Sequence, residues 1–145
     1  IDSPDLDVDA EDILVLQNAG PRSPSGMPEA GYLPIPKKLA KAGVKDMVRI
    51  SDARMSGTAF GTIVLHVTPE ADLGGPLALV QNGDRIRLSA AAKKIDLLVT
   101  PEELERRRSA LLPSSTPPAR GYQKLYHYTI LPATQGCDFD FLVTK

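Results

Sequence analysis

One cysteine, Cys137, and two histidines, His66 and His127, are the only Cys and His side chains in this 145-residue chain. A single thiol excludes an internal disulfide and suits a reducing, cytoplasmic setting. It also excludes an iron–sulfur cluster held by this chain alone, because such clusters take three or four thiolates. His66 lies in an apolar run and His127 among tyrosines. Neither has a second His or Cys at metal-ligand spacing, so both are expected as packed, hydrogen-bonded side chains. No P-loop and no dinucleotide fingerprint is present. No apolar run is long enough to span a membrane, and the start lacks a basic and apolar signal pattern. A net charge of −1 leaves no electrostatic footprint for nucleic acid or an anionic membrane. The one basic cluster, Arg106-Arg107-Arg108, follows Glu102, Glu103 and Glu105 and reads as a solvated helix face with internal pairing. The chain opens on Ile1 rather than Met, as a piece of a longer protein would.

What is present fits one domain, residues 1–145, with apolar and charged fractions of 42% and 24%. A chain of this size buries roughly two-thirds of its unfolded surface. The apolar run Asp12 to Leu16 reads as a buried strand, and Asn18 to Pro34 as a Gly/Pro-rich loop. Pro36 to Ala42 reads as a short helix closed by Gly43. Asp46 to Ser51 and Thr62 to Val67 read as strands around a second loop, Asp52 to Gly61. Leu77 to Val80 and Arg85 to Leu88 flank Asn82-Gly83, the pattern of a hairpin. Ile95 to Val99 is a further strand. Thr100-Pro101-Glu102-Glu103 opens a helix, with Thr100 as cap and Glu103 able to close a capping box. Pro113 to Gly121 is a connector, and Tyr122 to Leu131 reads as a strand leading to the tail. Short strands with a few helices suggest an α/β, mainly β domain: a small β-barrel with flanking helices.

Two Gly/Pro loops, each beside an apolar strand, are where a site is expected. The first holds Gly20-Pro21 and Gly26-Met27-Pro28-Glu29; the second holds Ser51-Asp52-Ala53-Arg54-Met55-Ser56-Gly57-Thr58. Arg54 is the type of group that clamps a carboxylate bidentately. Ser56 is a nucleophile or base only if something activates its hydroxyl. Glu29 is either a hard-cation ligand or a solvated carboxylate. In a purely structural reading, Asp52 and Arg54 pair while Ser56 and Thr58 bond to backbone. Cys137 reads as a structural or incidental thiol.

The stretch Val48-Arg49-Ile50-Ser51-Asp52-Ala53-Arg54-Met55-Ser56-Gly57-Thr58-Ala59-Phe60-Gly61 resembles a signature of the dihydroxy-acid dehydratase / phosphogluconate dehydratase family. So do His66-Val67-Thr68-Pro69-Glu70-Ala71, Gly74 to Val80, and Asn82-Gly83-Asp84. The Gly20-Pro21 through Glu29 block is similar to the family's upstream GP…PGMPE element, with Ser25 where that element usually has Pro. The resemblance runs from about Asp12 to about Arg108 and includes the tail from Gly136 to Leu142. Asp52-Ala53-Arg54-Met55-Ser56 resembles the sugar-acid branch, which includes arabinonate and xylonate dehydratases.

The resemblance implies the C-terminal domain of a hydro-lyase that converts an aldonic sugar acid to its 2-keto-3-deoxy acid. It implies an N-terminal domain of the same enzyme holding an iron–sulfur cluster and most Mg²⁺ ligands. It also implies a barrel similar to the swivelling β/β/α domain of aconitase-like enzymes. By motif position Ser56 is the catalytic base, Thr58 and Arg54 bind substrate, and Glu29 is a Mg²⁺ ligand. The complete protein is then expected to be a cytoplasmic homo-oligomer of carbohydrate metabolism, and the isolated domain inactive. Two alternatives stand beside this: a dihydroxy-acid dehydratase of branched-chain amino-acid synthesis, and a non-catalytic binding or oligomerisation module.

Overall fold

The computed structural model describes residues 1–112 and 116–143. Three short strands build a parallel sheet: β1 (Leu14–Leu16), β2 (Arg49–Ser51) and β3 (Ile63–Val64), in that order across the sheet. Leu14 pairs with Arg49 and Leu16 with Ser51, while Ile50 pairs with Val64. Between β1 and β2 runs the long loop and then α1 (Lys37–Lys41). Pro36 stands immediately before that helix, and Gly43 just beyond it takes a φ of +92°, the left-handed conformation glycine adopts at little cost. The core forms on one side of β2, from Ile50, Ala71 and Leu77, with Val15, Val48, Val64 and Val67 packed around them.

A second, two-stranded sheet pairs β4 (Ile86–Ser89) with β5 (Lys94–Leu97) antiparallel. Helix α2 (Pro101–Ser109) follows, and Thr100 Oγ1 accepts the Glu103 N–H at 3.3 Å, as its cap sequence requires. Glu103 does not complete the capping box. Its carboxylate accepts instead from Arg106 at 2.6 Å and Arg107 at 2.8 Å. These two guanidiniums hold Glu103 down to about 2. Of the three arginines, Arg107 alone turns inward, to Asp84 at 2.6 Å and the Leu79 carbonyl at 2.9 Å.

Three expected strands take other forms. Leu77 to Val80 lies in a 3₁₀ turn, Pro76–Leu79, because Pro76 supplies no ladder N–H and fixes a turn-like φ. Gln17 Nε2 donates to the Leu77 and Val80 carbonyls, at 2.6 and 3.0 Å, in place of a strand partner. Asn82-Gly83 is therefore not the hairpin turn; the reversal falls between β4 and β5, where the Lys93 N–H bonds the Ala90 carbonyl at 3.1 Å. Tyr122 to Thr129 belongs to helix α3 (Gly121–Thr129). Its helical period sends Tyr126 in against Phe139 at 6.0 Å and leaves Tyr122, Leu125 and Tyr128 outside. After Val64 the chain leaves the ladder, and His66 takes a φ of +52° and is exposed, not packed in a strand.

The result is a small mixed α/β domain. No closed barrel forms among the described residues: strands of two to four residues make two sheets that share no ladder. Part of the connector, residues 113–115, lies outside the described residues. No helix among the described residues is long and apolar enough to cross a membrane.

Candidate functional site

Parallel neighbours deliver their following loops to the same end of a sheet. Leu16 and Ser51 are paired at the ends of β1 and β2, so the 18–34 and 52–61 loops leave side by side. The sheet's register thus brings together segments about thirty residues apart.

Hydrogen bonds join the loops on two sides. On the inside, Asp52 is fully buried and its carboxylate accepts the Ala19 N–H on Oδ1 and the Ala71 N–H on Oδ2, both at 3.0 Å. On the outside, Arg54 donates Nε to the Met27 carbonyl at 3.0 Å and Nη1 to Glu29 Oε1 at 3.1 Å. The Arg54 carbonyl accepts the Gly31 N–H at 2.8 Å. Asp52 and Arg54 therefore do not pair with each other, as the purely structural reading had them; each faces the first loop. Arg54 and Glu29 are both about half exposed, so this pair is screened and its guanidinium is accessible.

Ser56 and Thr58 stand one turn further along the second loop. Their hydroxyls are 3.2 Å apart, and the Thr58 N–H lies 3.5 Å from Ser56 Oγ. Ser56 is half-buried and Thr58 exposed. Among the described residues no imidazole, amine or carboxylate hydrogen-bonds Ser56 Oγ, so none of them activates it as a base.

The donor set bears on cofactors directly. No group of three His, Cys, Asp or Glu side chains gathers among the described residues. Mg²⁺ takes six oxygens in near-octahedral array. Glu29 fits one ligand of such a centre, its Oε1 shared with Arg54, and not the centre itself. The lone Cys137 does not fit an iron–sulfur cluster. Burial pushes its thiol up, the Glu70 charge adds to that, and Sγ sits 3.4 Å from Met27 Sδ.

Three charged residues are buried; the sequence reading gave no role to the first two and the wrong partner to the third. Arg49 is 1% exposed and spends its guanidinium on the Leu33 carbonyl at 2.8 Å, Asp46 at 2.8 Å and the Met47 carbonyl at 3.1 Å, with the Tyr32 ring beneath. Glu70 accepts the Ala133 N–H on Oε1 at 2.7 Å; its Oε2 is buried without a partner among the described residues. Asp52 is the third. The available signal was position: Arg49 opens the buried strand β2 and Asp52 directly follows it, where charge is out of place unless partnered.

Residues 2–137 match the family model described as dihydroxy-acid/6-phosphogluconate dehydratase C-terminal. The chain is 53% identical to the 6-deoxy-6-sulfo-D-gluconate dehydratase of Pseudomonas putida, over 98% of this chain and 24% of that protein. It is 54% identical to the L-arabonate dehydratase of Azospirillum brasilense, over 95% of this chain and 25% of that protein. A dihydroxy-acid dehydratase of Methanoregula boonei (strain DSM 21154 / JCM 14090 / 6A8) is 42% identical over 86% of this chain and 22% of that protein. The chain thus spans about a quarter of the length of the curated relatives it matches.

Proposed function

Because the chain belongs to the dihydroxy-acid/6-phosphogluconate dehydratase C-terminal family, we propose that it is the C-terminal domain of a hydro-lyase that removes water from an aldonic sugar acid. The product is the 2-keto-3-deoxy acid. The observation that carries the reading is the seam at Arg54, where the Ser56 loop and the Glu29 loop meet. Higher identity to sugar-acid dehydratases than to a dihydroxy-acid dehydratase supports an aldonate over a branched-chain precursor.

In this reading Arg54 holds the substrate carboxylate. A planar guanidinium with accessible N–H groups matches two carboxylate oxygens. Ser56 Oγ, as the alkoxide, takes the proton from C2; the C3–O bond breaks, the hydroxyl leaves as water, and the resulting enol tautomerises to the 2-keto acid. Thr58 Oγ1, 3.2 Å from Ser56 Oγ, holds the serine's orientation and touches a substrate hydroxyl. Glu29 supplies one Mg²⁺ ligand, and a bound Mg²⁺ would stabilise charge developing beside the substrate carboxylate. The domain caps an N-terminal domain of the same polypeptide, closing its loop end in the manner of the swivelling domain of aconitase-like enzymes. That N-terminal domain carries the iron–sulfur cluster, and the complete cytoplasmic protein is a homo-oligomer. Taken alone, the 145-residue chain has no dehydratase activity.

The test is to incubate the complete protein, loaded with its metals, with a panel of aldonates and of branched 2,3-dihydroxy acids. The expected result is 2-keto-3-deoxy acid from at least one aldonate. Turnover of the branched acids alone would move the assignment to the dihydroxy-acid branch. No turnover of either would leave a binding module.

A further inference from the structure

We infer that Asp52 is a positioning residue whose buried carboxylate sets the Ser56 loop against the Glu29 loop. This rests on the proposed roles of those loops, and it concerns a residue that touches neither substrate nor metal. The two acceptors of Asp52 are divided between different segments. Oδ1 takes the N–H of Ala19, three residues beyond β1 at the root of the Glu29 loop, and Oδ2 takes that of Ala71, the first residue of a 3₁₀ turn. Asp52 itself is the first residue beyond β2, two before Arg54 and four before Ser56. A carboxylate at 0% exposure has no water to exchange for these amides, so both bonds must be kept.

Packing closes the same joint from the loop side. Gly20, next to Ala19, has no room for a side chain: a Cβ there would lie 2.9 Å from Glu70 Cγ and 3.4 Å from Asp52 Oδ2. Glu70 in turn holds the Ala133 N–H at 2.7 Å, which ties in the tail. The root of the Glu29 loop is thus pressed onto two buried carboxylates. The outer contacts at Arg54 then form only where the inner joint puts them.

The experiment is hydrogen–deuterium exchange on the complete protein with Asp52→Asn, read in peptides holding Ala19, Gly31, Ser56 and Ala71, beside steady-state kinetics. The substitution replaces one acceptor oxygen with an N–H donor that faces a backbone amide. Exchange should quicken about tenfold or more in all four peptides. Peptides holding the Leu14 amide (on the Val48 carbonyl) and the Arg49 amide (on the Thr62 carbonyl) should keep the wild-type rate. The kcat should fall while KM changes less. Faster exchange at Ala19 and Ala71 alone, with Gly31, Ser56 and kcat unchanged, would overturn the inference and leave Asp52 a local cap. Should Asp52→Asn unfold the domain and quicken every peptide, Gly20→Ala decides: it presses on the joint without altering charge. Faster exchange at Gly31 and Ser56 supports the inference, and wild-type exchange there overturns it. The exchange readout is independent of turnover, so an inactive wild type with the expected exchange pattern would remove the functional reading and not the positioning role.

Discussion

Arg54 donates at once to a backbone carbonyl and to a carboxylate, with Nε on Met27 and Nη1 on Glu29, on a side chain that stays about half exposed. A lysine there keeps the charge and loses the fork. Arg54→Lys in the complete protein is expected to raise the KM for an aldonate about tenfold or more, with melting little changed because the pair is exposed. An unaltered KM would take Arg54 out of substrate binding. Gly31 matters for a different reason. Its Cβ position lies 2.1 Å from Leu65 Cδ2 and 3.1 Å from the Arg54 carbonyl, so Gly31→Ala must displace the Leu65 side chain and press on the Arg54 backbone at the seam. A cost of about 1–3 kcal/mol is expected in a denaturant titration; an alanine tolerated without cost would show that the loops are not in close contact. The residue types at this seam were legible as Glu29, Arg54, Ser56 and Thr58. Their partners were not. Asp52 lies two residues from Arg54, which suggests a local pair. Its actual partners, Ala19 and Ala71, are 33 and 19 residues away and are backbone groups, which leave no trace in side-chain chemistry.

Among the elements, the two helices marked by terminal chemistry were read correctly, while the Asn82-Gly83 hairpin signal was not. The Thr100 cap and Pro101 set the start of α2, and Gly43 sets the end of α1. Aromatic content misled at α3, because Tyr122, Tyr126 and Tyr128 fit a strand by composition and a helix by spacing. Pro76 was outweighed by the apolar run after it. The link between α2 and the 76–79 turn offers a test of packing. Asp84 and Arg107 are each about 10% exposed and bond at 2.6 and 3.0 Å, and Arg107 also holds the Leu79 carbonyl. The Arg107 guanidinium lowers the Asp84 carboxyl below its ordinary 3.8. A lowered folded value means the contribution is full above the ordinary value and is lost as pH falls through the lowered one. Asp84→Asn should therefore cost roughly 1–3 kcal/mol at neutral pH, and the gap to wild type should close in acid. A gap that stayed constant down to pH ~2 would assign the loss to packing and not to charge.

At the scale of the molecule, the parallel order β1-β2-β3 is what brings two distant loops to one end of the sheet, and it was hidden from the sequence. Strands of two and three residues carry too little pattern to reveal pairing, and an expected barrel became two separate sheets. The family motifs nevertheless pointed at the loops the sheet brings together. Among the described residues the hydroxyl bonded to Ser56 Oγ is that of Thr58, so in the proposed reading the charge that activates the serine is supplied from outside them. The most direct measurement is kcat of the complete protein with Ser56→Ala, taken beside its melting temperature and metal content. A base in proton transfer is worth at least roughly 10²-fold in rate, whereas a half-buried loop hydroxyl costs about 1 kcal/mol of stability or less when removed. The expected result is a loss of at least that 10²-fold with cluster content and melting unchanged; a Ser56→Ala protein with intact metals and near-normal kcat would contradict the assignment of this domain as the source of the base.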